Sequence, residues 1–212
     1  MLRLKTAKST LAHQNHTKST QKPTTKGFLQ MAKNFLHNGI YALDFKLMDK
    51  KDSLYVLEMR NQPEVARFML TSNITKDGHF NFIKGLKNNQ KSAYWLVKKN
   101  DKILGVASLS RINLAHKNAY IGIYKNPFLD TRYKTNQKSS IGAQILQALE
   151  YIAFSEFCLH SLHLEVLESN TKAIAFYEKN GYKYGGKLVD FIYRDERYHT
   201  ALIYSKITNM PL

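Results

Sequence analysis

Residues 137–186 read QKSSIGAQILQALEYIAFSEFCLHSLHLEVLESNTKAIAFYEKNGYKYGG, and this stretch decides the fold. It opens on a turn of small residues, Ser139, Ser140 and Gly142, with Lys138 adding charge. Ile141, Ile145, Leu149 and Ile152 then recur at helical spacing, which predicts an amphipathic helix over 140–157. Leu162, Leu164 and Val166 alternate and predict a strand. Ser169 is a natural N-cap for a second helix over 170–179, and Asn180-Gly181 is a natural stop. On that helix Asn170, Ala173, Ile174 and Tyr177 share one face.

Upstream, the pattern predicts a strand over 41–47 and two short helices over 52–60 and 63–70, with Pro63 in a first helical turn. A further helix over 77–86 carries Phe80, Ile83 and Leu86 on one side. Strands over 92–98 and 103–112 flank the turn Asn100-Asp101, and a third over 119–124 ends at Asn126-Pro127. Downstream, strands over 188–193 and 198–205 flank the turn Arg194-Asp195-Glu196. The sum is an α+β fold, a mostly antiparallel sheet with helices on its faces, formed by one domain over 31–212. Residues 1–30 are rich in Lys, Thr, Ser and Gln, and the first acidic residue is Asp44. Apolar groups there are too sparse to offset the entropy of ordering, so this segment is expected to be a disordered basic tail or an upstream extension.

Composition narrows the function. No run of about 18 apolar residues exists, so no membrane-spanning helix is expected. The single cysteine, Cys158, excludes an intrachain disulfide and a four-thiolate zinc site, and its apolar surroundings predict a small core residue. His160 and His163 lack a third ligand at useful spacing, so no metal is expected. The formal charge of +16 reads either as a basic proteome plus a basic tail or as a sign of an anionic partner. Lysines spread along the whole chain, without an Arg-rich stripe, favour a phosphorylated small molecule over nucleic acid.

A helix N-terminus offers unpaired N–H groups and partial positive charge, and small residues let phosphate oxygens approach it. The turn alone reads better as a plain Ser-capped helix, because one glycine is a weak signal. An amide and a phenol on one face of the next helix are odd choices for core packing, and point to a ligand. Here the sequence resembles the GCN5-related N-acetyltransferases (GNATs). Gln137-x-x-Ser140-x-Gly142 is similar to that family's Q/R-x-x-G-x-G/A pyrophosphate loop, with Ser140 in place of its first glycine. Leu164-Glu165-Val166 and the run NTKAIAFYEKNG over 170–181 resemble its next strand and helix.

The resemblance implies acetyl-CoA as cosubstrate, lying where two strands splay. Pantetheine would pair with backbone along Ile121, Ile123 and Tyr124. Pyrophosphate would sit on N–H groups of Gln137, Lys138, Ser139, Ser140, Ile141, Gly142 and Ala143. Asn170, Ala173, Phe176 and Tyr177 would line the cofactor, with Tyr177 beside the thioester sulfur as general acid. His79 and Glu165 are the candidate bases.

Acceptor choice belongs to the N-terminal half. The run LEMRNQPEV over 57–65, then Met69 and His79-Phe80, resembles the branch holding the ribosomal-protein N-terminal acetyltransferases and, within it, nucleotide-sugar N-acetyltransferases. The implied acceptor is a UDP-linked 4-amino-4,6-dideoxy sugar already N-acetylated at carbon 2, whose product feeds pseudaminic acid synthesis and flagellin glycosylation in bacteria. Arg60 would bind its diphosphate, Met69 or Trp95 would shelve the base, and His79 and Tyr124 would face phosphate or sugar. A peptide-acetylating enzyme and a nucleic-acid-binding module with the same fold are the competing readings. The supply of acetyl-CoA and the want of an apolar export signal in MLRLKTAKSTLAHQ make the cytoplasm the expected location, and a homodimer is left open.

Overall fold

A computed structural model describes residues 32–69, 73–130, 133 and 139–208. Its strands are β1 (Phe35–His37), β2 (Ile40–Asp44), β3 (Ala93–Lys99), β4 (Lys102–Asn113), β5 (Asn118–Lys125), β6 (Ser161–Leu167), β7 (Lys183–Arg194) and β8 (Arg197–Ile207). Five α-helices accompany them among the described residues: α1 (Lys50–Asn61), α2 (Pro63–Ala66), α3 (Lys76–Leu86), α4 (Ile141–Tyr151) and α5 (Thr171–Lys179). The strands form one sheet in the order β1-β2-β3-β4-β5-β6-β8-β7. Every neighbouring pair is antiparallel except β5–β6, which α4 connects as a crossover. The expected α+β class is the observed one. The tail over 1–30 lies outside the described residues.

Several local departures have physical causes. The strand expected over 41–47 stops at Asp44, whose carboxylate accepts the Lys46 N–H at 2.8 Å and caps a 3-10 turn at Phe45–Leu47. The helix expected over 63–70 ends at Ala66. The long helix is α-helical only to Tyr151 and continues as a π-helix over Ile152–Glu156. Its last residues lead to Cys158, which is exposed and left-handed (φ +52°) rather than part of the core. Asn170, not Ser169, caps α5, its side-chain oxygen accepting the Ala173 N–H. Both hairpin turns match their sequence signals. Asn100-Asp101 (φ +46° and +58°) and Asp195-Glu196 (φ +51° and +59°) adopt the paired left-handed conformation that suits the twist of the flanking strands.

Both faces of the sheet are covered, so neighbouring residues such as Trp95 and Leu96 are both buried. Trp95, Leu109, Ile121, Leu162 and Leu164 pack on one side with Ile145, Leu149 and Ile152 from the α4 segment, and Tyr177 from α5 joins them. On the other side Leu96 and Val106 lie with Phe45, with Val56 and Met59 of α1, and with Leu86 of α3. Trp95 is therefore core, its indole N–H donating to the Lys33 carbonyl, and is not a shelf for a nucleobase. No helix among the described residues is long and apolar enough to cross a membrane.

Candidate active site

The strands β5 and β6 pair only at Asn118–Ser161, Ala119–Leu162 and Tyr120–His163. Beyond that point β5 keeps only β4 as partner, and β6, from Leu164 to Leu167, keeps only β8. A wedge opens between Ile121–Lys125 and Leu164–Leu167, and unpaired backbone groups of both strands face it. Within a sheet such groups would go unsatisfied, so the wedge is suited to an extended ligand that supplies their hydrogen bonds. Ile121 is buried and Ile123 packs partly against the same core.

Helix α4 starts beside this wedge. Ser140 is its N-cap, the hydroxyl oxygen accepting the Ala143 N–H at 3.2 Å. The remaining first-turn N–H groups point outward from the helix end, as at any α-helix start. Gln144 is buried within that turn. Its amide donates to the Ser139 carbonyl at 3.1 Å, and its oxygen accepts from Lys99 Nζ at 3.0 Å. A cation from the end of β3 is thereby tied to a helix terminus that already favours anions. Gln137 and Lys138 lie outside the described residues.

Helix α5 closes on the same point. A Cβ on Gly142 would lie 3.2 Å from the Phe176 ring, so glycine is what lets the start of α4 press against α5. One residue on, Tyr177 is 8% exposed and stacks edge-on to both Phe176 and Tyr182. Burial pushes its phenol up to about 12, so it holds its proton throughout the neutral range. Asn170 spends its carboxamide oxygen on the helix cap, which leaves the NH2 end to reach a ligand.

Residues 53–182 match the Acetyltransferase (GNAT) family. The chain belongs to this family. Its GNAT domain is an acetyl-CoA-dependent N-acetyltransferase. Among curated proteins, "Acetyltransferase PseH" of Campylobacter jejuni subsp. jejuni serotype O:2 is 25% identical over 150 residues, which cover 71% of this chain and 88% of that one. The spermidine N-acetyltransferase of Vibrio cholerae, solved with CoA and spermine, shares the fold with a TM-score of 0.69 at 17% identity, covering 81% of this chain and 96% of that one. Campylobacter jejuni PseH, solved with acetyl coenzyme A, does so with a TM-score of 0.59 at 18% identity, covering 80% and 99%.

The GNAT residues expected at the acceptor end fall in different places. Arg60, at the end of α1, lies within electrostatic reach of Tyr124 on β5, and burial pulls its guanidinium below the ordinary arginine value. Burial drives the Tyr124 phenol well above its usual range, with Arg60 pulling the other way. These two residues meet on the face that α1 and α3 cover. Met69 is half-buried, and its carbonyl accepts from Arg194 at the tip of the β7–β8 hairpin, as does that of Arg67. His79 is 4% exposed, its Nε2 bound to the Ser53 carbonyl at 2.8 Å, and burial lowers its pKa. That geometry makes it a tie between α3 and α1. Both Glu165 oxygens are engaged by Arg111, at 2.6 and 3.2 Å.

Sequence reasoning missed Arg111, Gln144, Lys99 and Arg194. It also passed over Gly122, although a glycine inside a strand signals a close approach. A Cβ there would lie 2.8 Å from Ser108 Oγ, on the face that also carries Tyr120 and Tyr124. Among the described residues no group of three His, Cys, Asp or Glu could hold a metal ion.

Proposed function

We propose that this acetyltransferase transfers acetyl to the 4-amino group of a UDP-linked 4-amino-4,6-dideoxy sugar already N-acetylated at carbon 2, a step toward pseudaminic acid and flagellin glycosylation in the bacterial cytoplasm. The observation that carries this reading is the likeness to PseH, which runs through 88% of that protein's length. The position of Arg60 supports it. A guanidinium beside Tyr124 on β5 offers the charge that the diphosphate of a nucleotide sugar requires, and charge-assisted hydrogen bonds contribute about 1.5–3 kcal/mol each. Met69 and Tyr124 are the other residues assigned to the acceptor on this reading.

Bound acetyl-CoA supplies a thioester whose carbonyl carbon takes the amine and whose sulfur departs. The free edge of β5 at Ile121, Ile123 and Tyr124 holds the pantetheine arm, and its N–H groups stabilise charge growing on the carbonyl oxygen. Ser139, Ser140, Ile141, Gly142 and Ala143, with Gln137 and Lys138 before them, bind the pyrophosphate. Asn170, Ala173 and Phe176 flank the arm. Tyr177 donates its phenolic proton to the leaving sulfur, a contribution of about 10²–10⁴-fold for a positioned acid. With His79 buried and Glu165 paired to Arg111, the proton of the incoming ammonium is left to water in the wedge.

Mass spectrometry of a competition reaction tests the reading. Protein and acetyl-CoA are mixed with the UDP-4-amino sugar and a panel of free-amine peptides. Acetyl gain on the sugar alone is the expected result. Gain on a peptide alone moves the enzyme to the ribosomal-protein type and removes the acceptor assignments.

A further inference from the structure

We propose that Arg111 and Glu165 are positioning residues that set how far the acetyl-CoA wedge opens. The inference rests on acetyl-CoA as cosubstrate and not on the identity of the amine. Three strands are tied together at the apex of the wedge. The last β5–β6 pair is Tyr120–His163, and Glu165 is the next residue of β6 on that same face. From β4, on the far side of β5, Arg111 reaches over and grips both Glu165 oxygens, at 2.6 and 3.2 Å. On the way its guanidinium lies over the Tyr120 ring at 4.3 Å, and Tyr120 in turn meets the His163 ring at 5.5 Å.

The backbone is bent to make this reach. Arg111 has φ +49° and lies where the β4–β5 register shifts, between Ser110 and Asn113. A bulge of this kind re-aims a side chain, and a non-glycine residue held left-handed inside a strand marks a place where the surroundings impose strain. A planar two-bond grip fixes distance and angle together, which a single lysine contact cannot do. The opposite face of the apex is closed independently by buried Ala119, Ile121, Leu162 and Leu164, so the sheet forms without the grip. What the grip controls is the departure of β6 from β5 past His163, which is the width of the wedge.

Calorimetric titration of CoA into the full chain tests this without any acceptor. Arg111→Ala and Glu165→Gln are each expected to raise the CoA Kd by about tenfold, while thermal midpoints stay near wild type because the pair is partly exposed. The double variant is expected to be no worse than either single one, since both remove one interaction. Arg111→Lys keeps the charge without the two-bond grip and should recover little of the lost affinity. Unchanged Kd in both single variants overturns the proposal, as does a wild-type Kd in Arg111→Lys, which would leave charge alone at work. Failure of the wild type to bind CoA overturns the cosubstrate reading together with the proposal.

Discussion

Gly142 and Phe176 stand so close that a methyl group on the glycine would sit 3.2 Å from the ring. The contact joins the helix start proposed to receive pyrophosphate to the helix that carries Tyr177. Gly142→Ala forces the ring to give by a few tenths of an ångström. Gly142→Val cannot be absorbed that way, and overpacking of this kind costs about 1–3 kcal/mol. We expect the alanine variant to bind CoA several-fold more weakly with near-normal stability, and the valine variant to lose both. Thermal unfolding beside CoA titration checks this; equal affinities in all three proteins would show that the contact does not shape the site.

Tyr177→Phe separates chemistry from binding. The ring stays in the core between Phe176 and Tyr182, so affinity for CoA should hold. Turnover should fall by about 10²-fold or more, the scale of a positioned acid. The phenol also bears on alkaline stability. Its folded pKa is raised from 10.0 to about 12, so its contribution is fully present below about pH 10 and is lost as pH rises toward 12. In that window the unfolded chain has already released the proton that the folded chain keeps. The slope is at most about 1.4 kcal/mol per pH unit for one group. Denaturant unfolding above pH 10 should therefore be shallower in pH for Tyr177→Phe than for wild type.

How much of this was legible beforehand depends on where the information resides. The Asn100-Asp101 turn was readable because a two-residue hairpin demands left-handed residues, and few types accept that conformation. The wedge was expected only through family resemblance, because an unpaired strand edge leaves no mark in hydrophobic alternation. Ser169 and Asn170 are both good caps, and one residue of register decided between them. The tie that His79 makes was not legible, because a histidine bound to a backbone carbonyl and one lining a cleft look alike in a single sequence. Arg111 was invisible for a different reason. Its left-handed bulge is imposed by pairing with β5, and no turn-forming residue announces it. Arg194 read as a turn residue, because its partners lie 127 and 125 residues away.

His79 carries a prediction of opposite sign to that of Tyr177. Its folded pKa lies below 6.5, so its contribution to stability is present above about pH 6.5 and is lost as pH falls through the folded value. His79→Ala should cost about 1–3 kcal/mol through the lost hydrogen bond and cavity. It should also flatten the fall in stability on the acid side. Turnover per folded molecule at neutral pH should change little. A loss of a hundredfold or more in a well-folded variant would restore His79 as a base.

Arg60 and Arg194 should fail differently from the wedge residues. Arg194 binds the carbonyls of Arg67 and Met69, docking the hairpin tip on the loop that follows α2. Arg194→Ala frees that loop, while β5, α4 and α5 keep their contacts with one another. On the proposed reading Arg60 meets the acceptor's diphosphate, and Arg60→Gln removes that charge from a half-buried site while keeping similar size. Both variants are expected to raise KM for the UDP-amino sugar, by roughly tenfold or more for Arg60→Gln as befits one lost charge-assisted bond. KM for acetyl-CoA should move less than twofold, on the order expected for sites that share no contacts. Initial-rate kinetics with each substrate varied in turn decides it. A rise in the acetyl-CoA KM alone would place Arg60 on the cofactor side of the cleft.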